Sequence, residues 1–340
     1  MTDIPLPPAT AGSDRPDGPW ARARAKLLAD HAAIGAAVVL VLIVLAVLAA
    51  PLYARHVSGT DPFRSTLSAK IEIGGKKVPV MERSTEGLGL GVTPIGPTWG
   101  PRYLLGADSQ GRDVAARLLY GGRNSLLIAG SATALCLFLA ALVGVTAGFF
   151  GGAVDLVLSR LLDVLWAFPV YLLAISLSIV LINGGLTIGP ITIASNSLML
   201  PILIIGVIYV PYVARPIRGQ VLTLKRSEFV LASVGLGIPR RRILVKDILP
   251  NVSTTLIVFV PLMMALNIVT ESALSFLSIG VQPPDASWGT IIQEGQGLLY
   301  SRPAVSLAPG IAIVVTVLAL NVLGDGVRDA FDPRSKLRPR

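Results

Sequence analysis

Residues 164–214 run for 51 positions without one charged side chain. A helix needs about 20 apolar residues to cross the hydrocarbon core of a bilayer. This run therefore holds two spans, parted at Asn183-Gly184-Gly185 and Gly189-Pro190, where the residue types favour turns. Residues 32–54, 124–154, 248–270 and 303–324 are also uncharged, and each is long enough for one span. The expectation is an all-α integral membrane protein with six transmembrane helices. Composition agrees: 53% of residues are apolar and 14% charged, with a mean hydropathy of +0.70, whereas soluble domains carry about 25% charge. A soluble enzyme is excluded.

The net charge of +9 is distributed by side. With the N-terminus inside, the short inner segments hold 18 of the 29 Lys and Arg residues, and the short outer segments hold only Arg302. Lys and Arg stay on the cytoplasmic face, so both termini are read as inside and the charge as a membrane signal, not a nucleic-acid one. The expected organisation is a disordered cytoplasmic tail over 1–31, a first helix over 32–54 and an extracytoplasmic loop over 55–123. A core of five helices over 124–327 follows, with a cytoplasmic loop at 215–250 and a tail over 328–340. Within the outer loop, 70–80 alternates apolar and polar residues about Gly74-Gly75, the pattern of a small β-hairpin. The first apolar stretch is longer than the core of a typical signal peptide, so it is read as a retained span.

Several chemistries lack their residues. No Gly-x-x-x-x-Gly-Lys-Ser/Thr phosphate loop occurs, so any nucleotide chemistry must belong to a partner. His31 and His56, the two histidines, both flank the first span and suit neither a metal site nor a protease. Cys136, the single cysteine, lies in an apolar run as an inert thiol. No catalytic residue, cofactor or metal site is expected in the chain.

The 215–250 segment carries more pattern than a linker needs. Ser227 is placed to cap a helix whose first turn contains Glu228. Phe229, Val230, Leu231, Ala232 and Ser233 follow, and the helix breaks at Gly235, Gly237 and Pro239. A second short helix over 240–249 puts Ile243, Leu244 and Ile248 on one face and ends at Pro250. The plain alternative is a solvated basic loop that only fixes topology, and Arg240-Arg241-Arg242 fits that role.

The run Glu228-Phe-Val-Leu-Ala-Ser-Val-Gly-Leu-Gly237, with Ile248-Leu-Pro-Asn251, resembles the EAA loop of bacterial ABC-importer permeases. Leu231-Ala232-Ser233 takes the place of the triplet, Gly237 the glycine, and Leu249-Pro250 the closing pair. Leu231 and Ser233 depart from Glu and Ala, and Asp247 occupies an apolar slot. Leu105-Gly-Ala-Asp-Ser-Gln-Gly-Arg-Asp-Val114, Arg117-Leu-Leu-Tyr-Gly121 and Glu271-Ser-Ala-Leu-Ser-Phe-Leu-Ser-Ile-Gly-Val-Gln-Pro-Pro284 extend the likeness, as do Ser287-Trp-Gly289 and Asn321-Val-Leu-Gly-Asp-Gly-Val-Arg-Asp329 with Asp332-Pro-Arg334. These are similar to the second, C-type permease of the dipeptide/oligopeptide/nickel class. The resemblance implies a type I permease fold in the bacterial inner membrane, a homologous second permease, two ATPases that dock on the loop, and an extracytoplasmic binding protein. It implies import of dipeptides or oligopeptides, with nickel chelates or another small solute as alternatives.

Three side chains are weighed individually. Glu271, a carboxylate near apolar sequence, is either a pathway or gate residue or sits in water at the outer end of its span. Arg160 and Asp163, three apart at the start of the third span, form a structural pair. The rival function, an ATP-independent secondary transporter, predicts internal repeats and intramembrane ion sites, and the sequence shows no repeat.

Overall fold

The computed structural model describes residues 19–73, 75–84 and 91–332. The disorder expected for residues 1–18, the turn residue Gly74 and the closing Pro333-Arg334 lie outside these. Residues 19–31 were expected to be disordered too, but α1 (Pro19–Ala29) is helical. Four alanines favour helix there, and Trp20 packs edge-on against Phe331 at 5.3 Å between ring centroids.

Asp30 ends α1 and caps the first apolar helix, α2 (His31–Leu48), accepting hydrogen bonds from the Ala32 and Ala33 amides. The chain continues through α3 (Ala50–Leu52) and a π-helical turn, Tyr53–Ser58. Two hairpins follow, β1 (Lys70–Ile73) with β2 (Lys76–Pro79), and β3 (Met81–Arg83) with β4 (Val92–Pro94), both antiparallel. Ile71, Val80, Ile95, Tyr103 and Ala107 form their own small core.

The central element is α4 (Val114–Phe150), a 37-residue helix about 55 Å long at 1.5 Å per residue. It begins ten residues before the uncharged run because Asp113 caps it, binding the Ala115 and Ala116 amides at 2.9 and 3.2 Å. The third run is divided differently from the expectation. α5 (Gly152–Trp166) and α6 (Val170–Gly184) meet at 85°. Pro169, with no amide hydrogen to donate, stands at the start of α6 where a helix tolerates it. Arg160 and Asp163 therefore lie on α5, a separate helix, and not at the start of a straight span. A third hairpin, β5 (Leu186–Ile188) with β6 (Ile191–Ile193), leads to α7 (Met199–Ile208) and α8 (Val210–Leu224), which meet at 42°.

Residues 215–224, expected in the cytoplasmic loop, are thus the last turns of α8. The loop contains α9 (Glu228–Gly235) and α10 (Arg240–Ile243) and joins α11 (Leu249–Phe276) through a π-helical turn, Leu244–Ile248. Pro250 does not end a helix as expected. It sits in the first turn of α11, where its missing N–H costs nothing. α12 (Trp288–Gly295) precedes a single 3₁₀ turn, and α13 (Ala304–Phe331) closes the described chain.

Among the described residues, four helices, α2, α4, α10 through α11, and α13, are long and apolar enough to cross a membrane, and the two bent pairs raise the number to as many as six. α4 packs on α8, α11, α7 and α2. At Gly144 and Gly148 it meets α8 so closely that an added Cβ would lie 2.7 Å from the Ala214 carbonyl oxygen and 2.8 Å from Val221 Cβ. Small residues four apart permit such backbone contact, which drives helix association in lipid.

Candidate functional site

Two assemblies lie at opposite ends of α4. At its C-terminal end, Lys225 donates to the carbonyls of Gly148 and Phe149 at 3.3 and 2.8 Å, which ties the base of the α9 segment to the end of α4. α9 is seated by one residue, Val230, while Phe229, Leu231, Val234 and Leu236 remain exposed, the last at 80%. Such a run of large apolar side chains outside any span is a surface made for contact. Ser227 occupies the cap position but does not cap: its hydroxyl turns back to the Leu224 carbonyl at 2.6 Å.

The far end of α9 closes with a Schellman turn. Ile238 N donates to Ser233 O at 3.1 Å and Gly237 N to Val234 O at 3.0 Å, with Gly237 at φ +72°. A Cβ on Gly237 would meet nothing within 4 Å, so the glycine is required by backbone conformation and opens toward free space. Ile243 and Ile248 are buried in the main core and fix the return segment. Leu249 is 38% exposed, and Pro250 is exposed beside it. Asp247, in the apolar slot, is half-buried, and its carbonyl accepts from Asn251 at 2.7 Å.

At the other end, Glu271 is fully buried. Ser125 and Ser275 donate to its carboxylate at 2.8 and 2.7 Å, and Ser272 at 3.4 Å. The serines are themselves held, since the Trp288 amide donates to Ser125 Oγ and the Val281 amide to Ser275 Oγ. Glu271 therefore knots α4, α11 and α12 together, and the reading that places it in water is excluded. Nearby, Arg112 and Arg117 both bind Glu294 Oε2, at 2.8 and 2.7 Å, and both approach Asp108 Oδ2, at 2.7 and 3.4 Å. Asp113 adds bonds from Tyr103 N and Thr60 to its cap, and burial still raises its carboxyl above the usual range. Arg302 links Glu82 of β3 to the start of α13 at 3.3 Å.

Sequence reasoning quoted Asp108, Arg112 and Arg117 within a motif but gave them no partner, and it omitted Glu294. The signal was limited to Arg112 and Asp108 being four apart; Glu294 lies 182 residues from Arg112. The Arg160–Asp163 pair is present at 3.6 Å, but Asp163 binds Arg215 of α8 more closely, at 2.9 Å. A second such link, Arg218 to Asp155 at 2.5 and 2.6 Å, was also missed. The structure does not bring Arg160, Asp163 and Glu271 together. Among the described residues, no group of three or more His, Cys, Asp or Glu is placed to hold a metal ion.

Comparison with known proteins adds the following. Residues 140–337 match the family described as binding-protein-dependent transport system inner membrane component. A putative peptide transport system permease protein of Brucella abortus is 38% identical over 70% of this chain and 76% of its own length. A glutathione transport system permease protein of Pectobacterium atrosepticum is 34% identical over 69% and 73%. Among solved structures, an inward-facing MetNI methionine ABC transporter chain superposes with a TM-score of 0.50 at 17% identity, covering 63% of this chain and 95% of that one.

Proposed function

Because this chain belongs to the family of binding-protein-dependent inner-membrane transport components, the permease subunits of ABC importers, we propose that it forms half of an ATP-driven pathway for short peptides. It is a multi-pass subunit of the bacterial inner membrane, and a transport component instead of an enzyme. The peptide class is supported by what its relatives are named for, peptides in one case and glutathione, itself a tripeptide, in another.

The observation that carries the coupling role is α9, an apolar surface seated on Val230 from behind and exposed in front. In this reading Glu228, Phe229, Leu231, Ala232, Ser233, Gly237, Leu249 and Pro250 form or frame the contact with a cytoplasmic ATPase. Two ATPases supply ATP and magnesium chemistry, a homologous permease supplies the other half of the pathway, and an extracytoplasmic binding protein delivers the peptide. The α9 end then faces the cytoplasm, in keeping with the charge distribution. ATP drives transport by binding one arrangement of the ATPases better than the other, and α9 passes that difference to the helices. Glu271 acts in this scheme by holding α12 and the segment before it against α4.

The test is ATP-dependent uptake of a labelled mixed-peptide pool by vesicles containing the co-expressed complex, comparing the intact chain with Gly237→Asp. Asp tolerates positive φ better than most residues, and its side chain has room within this chain, so the permease is expected to assemble. Loss of uptake with assembly intact supports docking at Gly237. Uptake that continues without ATP or the ATPases would overturn the reading in favour of a secondary transporter.

A further inference from the structure

α8 packs with its back on α4 and is flanked by α5 and α11. Val213, Ala214, Ile217 and Val221 fill the buried side of α8. Tyr212 and Arg215, three residues apart and so on one face, point the other way and are 37% and 41% exposed. The result is a half-exposed polar and aromatic cluster where α5, α8 and α11 meet. Trp166, from the end of α5, stacks on Tyr212 with centroids 6.4 Å apart and an interplanar angle of 27°. Phe259 of α11 packs against Tyr212 edge-on, with ring centroids 6.3 Å apart.

The Arg215 guanidinium lies over the Trp166 ring at 5.2 Å and is held by one bond, from Nη2 to Asp163 Oδ1 at 2.9 Å. A guanidinium has five donors in a planar fork suited to a carboxylate. Stacking and a single ion pair hold it in place, its other donors make no hydrogen bond among the described residues, and the side chain stays 41% exposed. A simple interfacial arginine would extend along its own helix toward water; Arg215 instead turns sideways onto α5. Asp163 beside it opposes anionic lipid headgroups. Arg215 opens the charged, inner part of α8 that leads to α9, and an ion pair left half-exposed between helices there suits the exit end of a pathway, where charged groups stay hydrated.

We propose that Arg215, framed by Trp166, Tyr212 and Phe259, is a way station for the free C-terminal carboxylate of a peptide in transit. The carboxylate takes the open edge of the guanidinium, and the aromatic rings receive the adjoining side chains without selecting among them. Asp163 partly neutralises Arg215 and keeps the site weak, as conduction requires binding that can be left as well as entered. This inference rests on the peptide-import reading.

The experiment compares ATP-driven uptake of trialanine and its C-terminal amide by the complete complex in vesicles, with one binding protein throughout. That protein's own preference cancels when variants are compared. Arg215→Gln is expected to lower uptake of the free acid about tenfold, the scale of lost charge-assisted hydrogen bonds, while amide uptake stays within about twofold. Arg215→Lys should restore part of the difference. Asp163→Asn, which unmasks the guanidinium, should lower both KM and the maximal rate for the acid, a signature that damaged packing does not produce. An equal fall for acid and amide, or no change for either, overturns the proposal. A wild-type complex that imports neither tripeptide nor any other peptide overturns the peptide reading itself, and this inference with it.

Discussion

Glu271 shows what one buried carboxylate does when three serine hydroxyls surround it. Its acceptor oxygens satisfy Ser125 and Ser275, which in turn satisfy the amides of Trp288 and Val281. Glu271→Ala would leave those hydroxyls without an acceptor in a dry site, at a cost of about 1–3 kcal/mol for each unsatisfied group. The expected outcome is a clearly lower thermal unfolding midpoint in detergent, with Glu271→Gln, which keeps one carbonyl oxygen, falling between; unchanged midpoints would mean the knot contributes no stability. Ser227 makes the opposite case, because its hydroxyl bonds behind itself to Leu224. Ser227→Ala should therefore cost less than the roughly 1 kcal/mol of an ordinary cap, and a larger loss in the same melting experiment would refute the assigned geometry. The sequence marked both residues. It could not say that Glu271 is dry, because Ser125 lies 146 residues away, nor which carbonyl competes for Ser227.

At the scale of elements, what could be read early was whatever acts along one stretch of chain. Uncharged length located the apolar helices, alternation about Gly74-Gly75 matched the strands at 70–73 and 76–79, and Ile243 and Ile248 are the buried face of their segment. The break at Pro169 lies inside a stretch read as one straight span, and its 85° angle depends on where α5 finds partners. Those partners are Arg215 and Arg218 of α8, which bind Asp163 and Asp155 across helices. Only the Arg160–Asp163 contact, local to one helix turn, was visible beforehand. The Asp155–Arg218 pair is bidentate and partly exposed, with side chains 20% and 33% accessible. A double-mutant cycle with Asp155→Asn and Arg218→Gln should return a coupling of about 1 kcal/mol or less, weakening as salt is raised. A coupling indistinguishable from zero at low salt would show that α5 is oriented by packing alone.

For the whole molecule, α4 is the element that reaches both ends. Lys225 ties its last carbonyls to the α9 segment, while Asp113 caps its first turn and Arg117 fastens that turn to Glu294 of α12. A displacement at α9 thus has a continuous rigid route to the Glu294 cluster, with Glu271 bracing α11 against the same helices. Physical continuity alone does not establish coupling, so the route needs a variant at the end remote from α9. Glu294→Gln keeps the shape of the side chain but leaves Arg112 and Arg117 with Asp108 as their only carboxylate partner in the cluster. α9, Gly237 and the Lys225 contacts are untouched, so the ATPases should still assemble and basal ATP hydrolysis should hold. In the proposed complex, stimulation of hydrolysis by the loaded binding protein crosses α4 on this route and should fall several-fold. Stimulation equal to wild type would show that the cluster only shapes its own end of the protein, and that the signal travels through α11 or α13 instead.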